Sequence, residues 1–193
     1  MQLKKLETKA QIEKRDRRRK MTVGILLALI MILSVLGYAG REEKEEKATY
    51  GGYTFTKQDE RWYCKELGIS TLFLPQETEN ISAAIPFSAS DFSEFSRLYF
   101  SALSPAELQG KEEIAKNLQL ELHEACLEEQ AELPGCENLP LKNCSTRIIV
   151  LKELKEGGSK IYTQEQCIFI EATANEMLKA ADKFLFGIYL KKE

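Results

Sequence analysis

Twenty consecutive residues without a charge, Met21 to Gly40 (MTVGILLALIMILSVLGYAG), constrain this chain more than any other feature of it. At about 1.5 Å per residue a helix of that length reaches roughly 30 Å, the hydrocarbon thickness of a bilayer. Its polar members, Thr22 and Ser34, can return their hydroxyls to the helix backbone, and occasional glycines are tolerated in such helices. A core helix of a small domain is rarely apolar on every face for five turns. The run predicts a transmembrane helix over residues 21–40.

Charge is divided sharply across that run. Met1 to Lys20 carries nine Lys/Arg against three acids, a net of +6, whereas Arg41 to Glu193 carries 18 against 27, a net of -9. Lys14, Arg15, Arg17, Arg18, Arg19 and Lys20 crowd the start of the run. The positive-inside bias would place that end in the cytoplasm and the C-terminal part outside. A cleaved signal peptide shares the pattern of a basic stretch before an apolar one. The length of the run and Tyr38 within the candidate cleavage site favour an uncleaved anchor. The expected order is a basic cytoplasmic tail (1–20), the span (21–40), a charged stalk (41–52, with Glu43 and Lys47 at helical i,i+4 spacing) and an extracytoplasmic domain (53–193).

Within that domain, Tyr53 and Phe55 face Trp62 and Tyr63 across a polar KQDE turn, which predicts a hairpin. Ile69–Leu74 and Arg97–Leu103 read as further strands, and 78–96 as mostly loop. Ser104, Pro105 and Glu107 form a capping box with proline at the first helical position. Ile114, Leu118, Leu122 and Cys126 then recur every four residues, which predicts one helix ending by Leu133-Pro134-Gly135. Arg147–Leu154 and Lys160–Glu171 read as two strands joined at Gly157-Gly158. Thr173 and Glu176 suggest a second capping box before an amphipathic helix through Tyr189. The fold class expected is α+β: one N-terminal transmembrane helix, then a mostly antiparallel sheet with two amphipathic helices.

The five cysteines, Cys64, Cys126, Cys136, Cys144 and Cys167, all fall after the apolar run. In an oxidising compartment four would pair and one would be left over. Cys64 stands apart, and Cys126–Cys136 with Cys144–Cys167 is the favoured pairing, because the Gly157-Gly158 turn would return Cys167 towards residue 148. The other two connectivities of those four remain open. Zinc at His123, Cys126, Cys136 and Cys144 is an alternative, but the H-x-x-C spacing followed by nine and seven intervening residues does not make a tight knuckle.

Other chemistry is hard to place. No C-x-x-C, nucleophile elbow, phosphate loop or dinucleotide fingerprint occurs, so no cofactor is expected. His123 is the sole histidine, and it lies among glutamates whose adjacent pairs diverge as a solvated face would. The acidic C-terminal part disfavours nucleic acid. Asn80-Ile81-Ser82 and Asn143-Cys144-Ser145 are glycosylation sequons, so Asn80 and Asn143 are candidate modification sites. Trp62, Tyr63, Phe87, Phe92 and Phe95 are candidate partner contacts.

The basic tail, the GILLALIMILSVLGYA span, the YGGYTFT…W strand pair and the closing CIFIEATANEMLKAADKFLFGIYL element together resemble small archaeal single-pass membrane proteins with an extracytoplasmic domain. The resemblance covers most of the chain and implies an archaeal envelope setting; it brings no catalytic residues. The expectation is a membrane-anchored, non-catalytic module whose partners are the lipid bilayer and another envelope protein. The alternatives are a membrane-tethered enzyme, or a metal-binding domain around His123 and the late cysteines.

Overall fold

The structure is a computed structural model that describes residues 9–39, 46–93, 97–118 and 122–191; in the first stretch the side chains described are those of 13 and 17–34. The chain divides into two compact units, Met1–Lys44 and Glu45–Glu193.

In the first unit a single helix, α1 (Lys9–Ala39), takes in both the basic stretch and the apolar run. Thr22 returns its hydroxyl to the Arg18 carbonyl at 2.8 Å. The expected transmembrane helix is corrected here: among the described residues no helix is long and apolar enough to cross a membrane. The described side chains of α1 run on from Arg17, Arg18, Arg19 and Lys20. The uncharged part of the helix, 21–39, follows directly on a charged part within one element.

The second unit opens with an antiparallel meander, β1 (Lys47–Tyr50), β2 (Tyr53–Gln58), β3 (Arg61–Cys64) and β4 (Ile69–Thr71), paired in that order. Residues 47–50, expected in a stalk, thus form its first strand, and 41–45 lie outside the described residues. Gly51 and Gly52, at φ 60° and 93°, make the two-residue turn between β1 and β2; only glycine takes both positions without a Cβ penalty. The KQDE hairpin forms as expected, with Gln58 opposite Arg61. Phe55, Trp62, Cys64 and Ile69 bury one face of the meander against Phe186.

The other sheet has six strands: β5 (Ser82–Ala83), β6 (Leu98–Ser101), β7 (Leu122–Glu124), and, beyond a separate two-stranded pair β8 (Cys126–Leu127) and β9 (Leu141–Lys142), β10 (Ile148–Leu154), β11 (Lys160–Gln164) and β12 (Cys167–Thr173). Their order is β5-β11-β12-β10-β6-β7. The expectation of a mostly antiparallel sheet is corrected for this layer, where every neighbouring pair but β11–β12 is parallel. The hairpin lies one connection later than its glycines suggested. Glu165, at φ 52°, and Gln166 turn β11 into β12, while Gly157-Gly158 only carries the chain from β10 past β12. β10 and β12 are nearly continuous apolar runs, buried on both faces, as central parallel strands are.

Among the described residues of the second unit the α-helices are the short α2 (Ala89–Ser93), α3 (Pro105–Leu118) and α4 (Met177–Tyr189). α3 stops well before the expected end, and Leu122, His123 and Cys126 fall on strands. A spacing of four fits one face of a strand as well as one face of a helix, so the repeat could not separate them. The second capping box does not form: β12 runs through Thr173, a 3-10 turn covers Ala174–Glu176, and Glu176 accepts from Ser159 Oγ at 2.5 Å. α3 and α4 pack on one face of the six-stranded sheet, where Ile114, Leu118, Met177, Ala180, Ala181, Phe184, Leu185 and Ile188 meet Ile149, Leu151, Ile168 and Ile170.

Gly110 lets those layers close. A Cβ there would sit 2.6 Å from Leu151 Cδ2 and 3.1 Å from Met177 Cγ, and both side chains are buried. Gly110→Ala gains about 1 kcal/mol of helix propensity but incurs overpacking of about 1–3 kcal/mol. A net loss near 1 kcal/mol should lower the Tm by about 2–4 °C in thermal circular dichroism. An unchanged Tm would mean that the two helices and β10 are not so tightly layered.

Candidate functional site

β6, β10 and β12 run parallel, and ligand sites in such sheets tend to open beyond the carboxyl ends of the strands. Here β6 ends at Ser101 and the chain turns within four residues into α3. The Ser104–Glu107 capping box forms as expected: Glu107 N–H donates to Ser104 Oγ at 3.3 Å, and Ser104 N–H donates to Glu107 Oε2 at 2.9 Å. Glu107 does more than cap. Its Oε2 also accepts from Leu103 N–H at 2.6 Å, and its Oε1 accepts from Glu153 N–H on β10 at 2.7 Å. One buried carboxylate thereby ties the end of β6, the start of α3 and β10 into one corner.

The sheet face opposite the helices is covered by the segment 126–144. Leu127, Ala125, Ile148, Val150 and Cys167 form a core there, with Tyr99, Cys144 and Phe169 packed against it. Two disulfides hold that cover, Cys126–Cys136 (Cα–Cα 5.8 Å) and Cys144–Cys167 (Cα–Cα 5.0 Å), the pairing that the cysteine positions favoured. The first closes the loop on itself and the second ties its end to β12. Gln130 fastens the near side, its Oε1 accepting from Ser101 Oγ at 2.7 Å and from Leu127 N–H at 3.2 Å.

Between the stapled loop and the corner at Glu107 lies a cleft of about 610 Å³. Leu103, Leu127, Leu133, Pro134, Val150 and Phe169 give it an apolar lining, and Glu107, Glu129, Lys152 and Glu153 stand among its polar wall. Those charges are not equally available. Glu107 is engaged by backbone donors, and Lys152 lies 3.5 Å from Glu171, which also accepts from Lys160 at 3.0 Å and from Tyr162 OH at 3.1 Å. Burial pushes the Glu171 carboxyl upward, but the bonds from Lys160 and Tyr162 and the charge of Lys152 outweigh it and hold it below the usual range. Glu129 and Glu153 are exposed at the cleft.

The residues singled out from sequence scatter. Trp62 and Phe92 belong to the two cores and present almost no surface. Phe87 is half-buried, edge-on to Phe92 at 6.2 Å, with the Arg147 guanidinium 4.4 Å over its ring. Tyr63 is exposed on β3, and Phe95 lies outside the described residues. Asn80 and Asn143 are exposed; Asn143 Oδ1 accepts from Ser145 N–H at 3.1 Å. His123 sits on β7 beside the Tyr99 ring at 5.7 Å, and three of the four zinc candidates are consumed as disulfide sulfurs. Among the described residues no group of three or more His, Cys, Asp or Glu could hold a metal ion. Cys64 is the free cysteine, buried, with its Sγ 3.4 Å from Glu66 Oε2 and its thiol pushed up by burial. The cleft lining was not foreseen, because it is assembled from β10, β12, the start of α3 and the stapled loop; the capping box was the one signal near it.

Fold and site define a disulfide-stapled α+β domain with an apolar cleft at the carboxyl edge of a mixed sheet. No family model, no curated protein and no solved structure matches the chain.

Alkylation and mass spectrometry of denatured protein should count one free thiol without reductant and five with it. The Cys144→Ser/Cys167→Ser pair, which opens a span of 23 residues, should lose roughly 3 kcal/mol in denaturant unfolding. Five alkylated thiols without reductant would remove the staple from the account of the cleft.

Proposed function

We propose that this protein is a membrane-associated module of an oxidising, extracytoplasmic compartment that binds another envelope protein through the cleft beneath the stapled loop. The observation that carries the proposal is the combination of an apolar floor with two exposed carboxylates, Glu129 and Glu153, at one opening. That chemistry suits an extended segment whose apolar side chains are flanked by Lys or Arg, the charged part setting orientation and the apolar part supplying most of the affinity. Two disulfides support the oxidising compartment, because such bridges persist where thiols are not kept reduced.

Lipid is the partner proposed for the first unit. Ten large apolar side chains of α1, from Met21 to Leu33, are each at least half exposed, a surface that aqueous monomers rarely present. The cations at Arg17 to Lys20 stand directly beside them and would meet anionic headgroups. The full-length chain is expected to co-sediment with vesicles containing anionic lipid. If it stays in the supernatant, lipid is not what covers α1.

The cleft is tested by a photo-crosslinking residue placed at Leu133, with Tyr63 on the meander as the control position. A discrete cross-linked protein from Leu133, absent from Tyr63, is expected in native membranes. Glu129→Lys with Glu153→Lys should weaken that product about tenfold, equivalent to about 1.4 kcal/mol. Equal products from both positions, or indifference to the charge reversal, would overturn the assignment of the cleft.

A further inference from the structure

A buried polar seam, not visible in the sequence, joins the meander to α3 and α4. From α3, Glu113 is 2% exposed and Asn117 is 4% exposed, and from α4, Asp182 is fully buried. Arg61 on β3 reaches Glu113 through both guanidinium ends, one bond measuring 3.0 Å, and also donates to Ser70 Oγ at 2.8 Å and Ser70 O at 2.6 Å. Asn117 reads the same residue, its Oδ1 accepting from Ser70 N–H at 2.7 Å and its Nδ2 donating to Ser70 O at 3.0 Å. Asp182 Oδ2 accepts from the N–H groups of Leu72 and Phe73, both at 2.9 Å. Its other oxygen, Oδ1, is buried with no hydrogen-bond partner.

Two interior carboxyls therefore lie near one guanidinium, which is bonded to Glu113 and reaches Asp182 only through its charge. With both ionised the seam would hold an uncompensated negative charge away from water, an arrangement that proteins avoid by neutralising one group. Glu113 is engaged at both oxygens by Arg61, so the proton falls to Asp182. We propose that Asp182, kept neutral by a proton, clasps the meander to α3 and α4 by accepting from Leu72 and Phe73 N–H, and that the cost of burying its charge at alkaline pH releases the meander edge at Ser70–Phe73.

The groups facing Asp182 are few. α3 presents Glu113, and β3 presents Arg61, with Tyr63 near the guanidinium. The 3-10 turn Pro75–Thr78 contributes Glu77, whose carboxylate accepts from Leu74 N–H at 2.7 Å. The turn before α4 contributes Glu176, held by Ser159. β11 and β12 bring Lys160, Tyr162 and Glu171, which pair with one another, and β5 brings no titratable side chain. On α4 itself Lys179 and Lys183 are half-exposed, and Tyr189 donates to Asn117 O at 2.9 Å. Burial is the largest influence on Asp182 and raises its carboxyl from 3.8 to about 8; the charge of Glu113 raises it further, while the Phe73 and Leu72 N–H bonds and Arg61 oppose.

The direction of the pH dependence follows from that rise. A carboxyl held above its ordinary value keeps its proton in the folded state and loses it on unfolding. The stability it supports is complete below the ordinary carboxylate range and is lost as pH rises through about 8. Across that window the unfolding constant should grow by up to tenfold per pH unit, the signature of one proton.

The sole tryptophan, Trp62, is a built-in reporter, since it is 6% exposed within the meander core. In the full-length protein, its emission should shift to the red and become open to acrylamide quenching between pH 7 and 9. Asp182→Asn keeps the two backbone bonds and cannot ionise, so its emission should stay unshifted to pH 10 and its Tm should be flat where the wild type falls. Amide exchange at Leu72 and Phe73, faster at pH 9 than pH 6 after correction for intrinsic rate, should locate the opening in the wild type alone. If the wild type and Asp182→Asn give the same profiles, or Trp62 stays shielded to pH 10 in the wild type, the clasp is not proton-dependent. Failure of the cleft to cross-link would leave these outcomes untouched.

Discussion

Seven registered pairs between β10 and β12, from Ile148 opposite Cys167 to Leu154 opposite Thr173, form the ladder on which the rest of the second unit depends. A parallel pair of this kind is apolar on both faces and needs two covers. One cover is helical: α3 and α4 supply a contiguous apolar layer from Ile114 to Ile188. The other is the segment 126–144, whose large apolar side chains are only Leu127, Leu133, Leu139 and Leu141. Cross-links make up for that poverty, since a bridge constrains the unfolded chain whether or not the loop buries much surface. The cleft is a consequence of the same shortage, because the loop leaves part of Val150 and Phe169 to line an opening.

Local signals in the sequence survived where local chemistry decided the outcome. Gly51-Gly52 and the KQDE turn needed only their own residues to become hairpins, and Ser104 with Glu107 needed only each other to cap α3. The separation of four cysteines from Cys64 also followed from position along the chain. What failed were decisions that depend on distant partners. The single strand expected over Lys160–Glu171 is two, β11 and β12, and β11 inserts on the far side of β12, so β10 and β12 become parallel neighbours. Leu122 pairs with Leu98 on β6, a partner 24 positions away that no helical repeat could reveal. Thr173 was spent on the β12 ladder, opposite Leu154, before it could cap anything.

The apolar run is legible as composition and not as architecture. Met21 to Gly40 carries no charge, yet α1 continues without a break from Lys9 through the cationic stretch. One helix then holds charged and apolar residues end to end. What remains firm is the exposure of that apolar surface, which needs a cover in water whatever its length. The second unit needs none of this to bury its own core, since its three apolar clusters are drawn from residues 48–190 alone.

Two buried carboxylates show how similar side chains come to serve different ends. Glu107 and Asp182 each accept from backbone N–H groups of a neighbouring segment, and each joins a helix to strands. Three N–H donors are distributed over both oxygens of Glu107, so the corner at the cleft is closed by hydrogen bonds alone. Asp182 receives two donors on one oxygen and none on the other, with Glu113 nearby to repel a second charge. An unmet buried oxygen costs about 1–3 kcal/mol when neutral and more when charged. The second arrangement is therefore the one built around a proton. The meander rests on that joint through Leu72 and Phe73, so a rise in pH should loosen the half of the domain that carries Trp62.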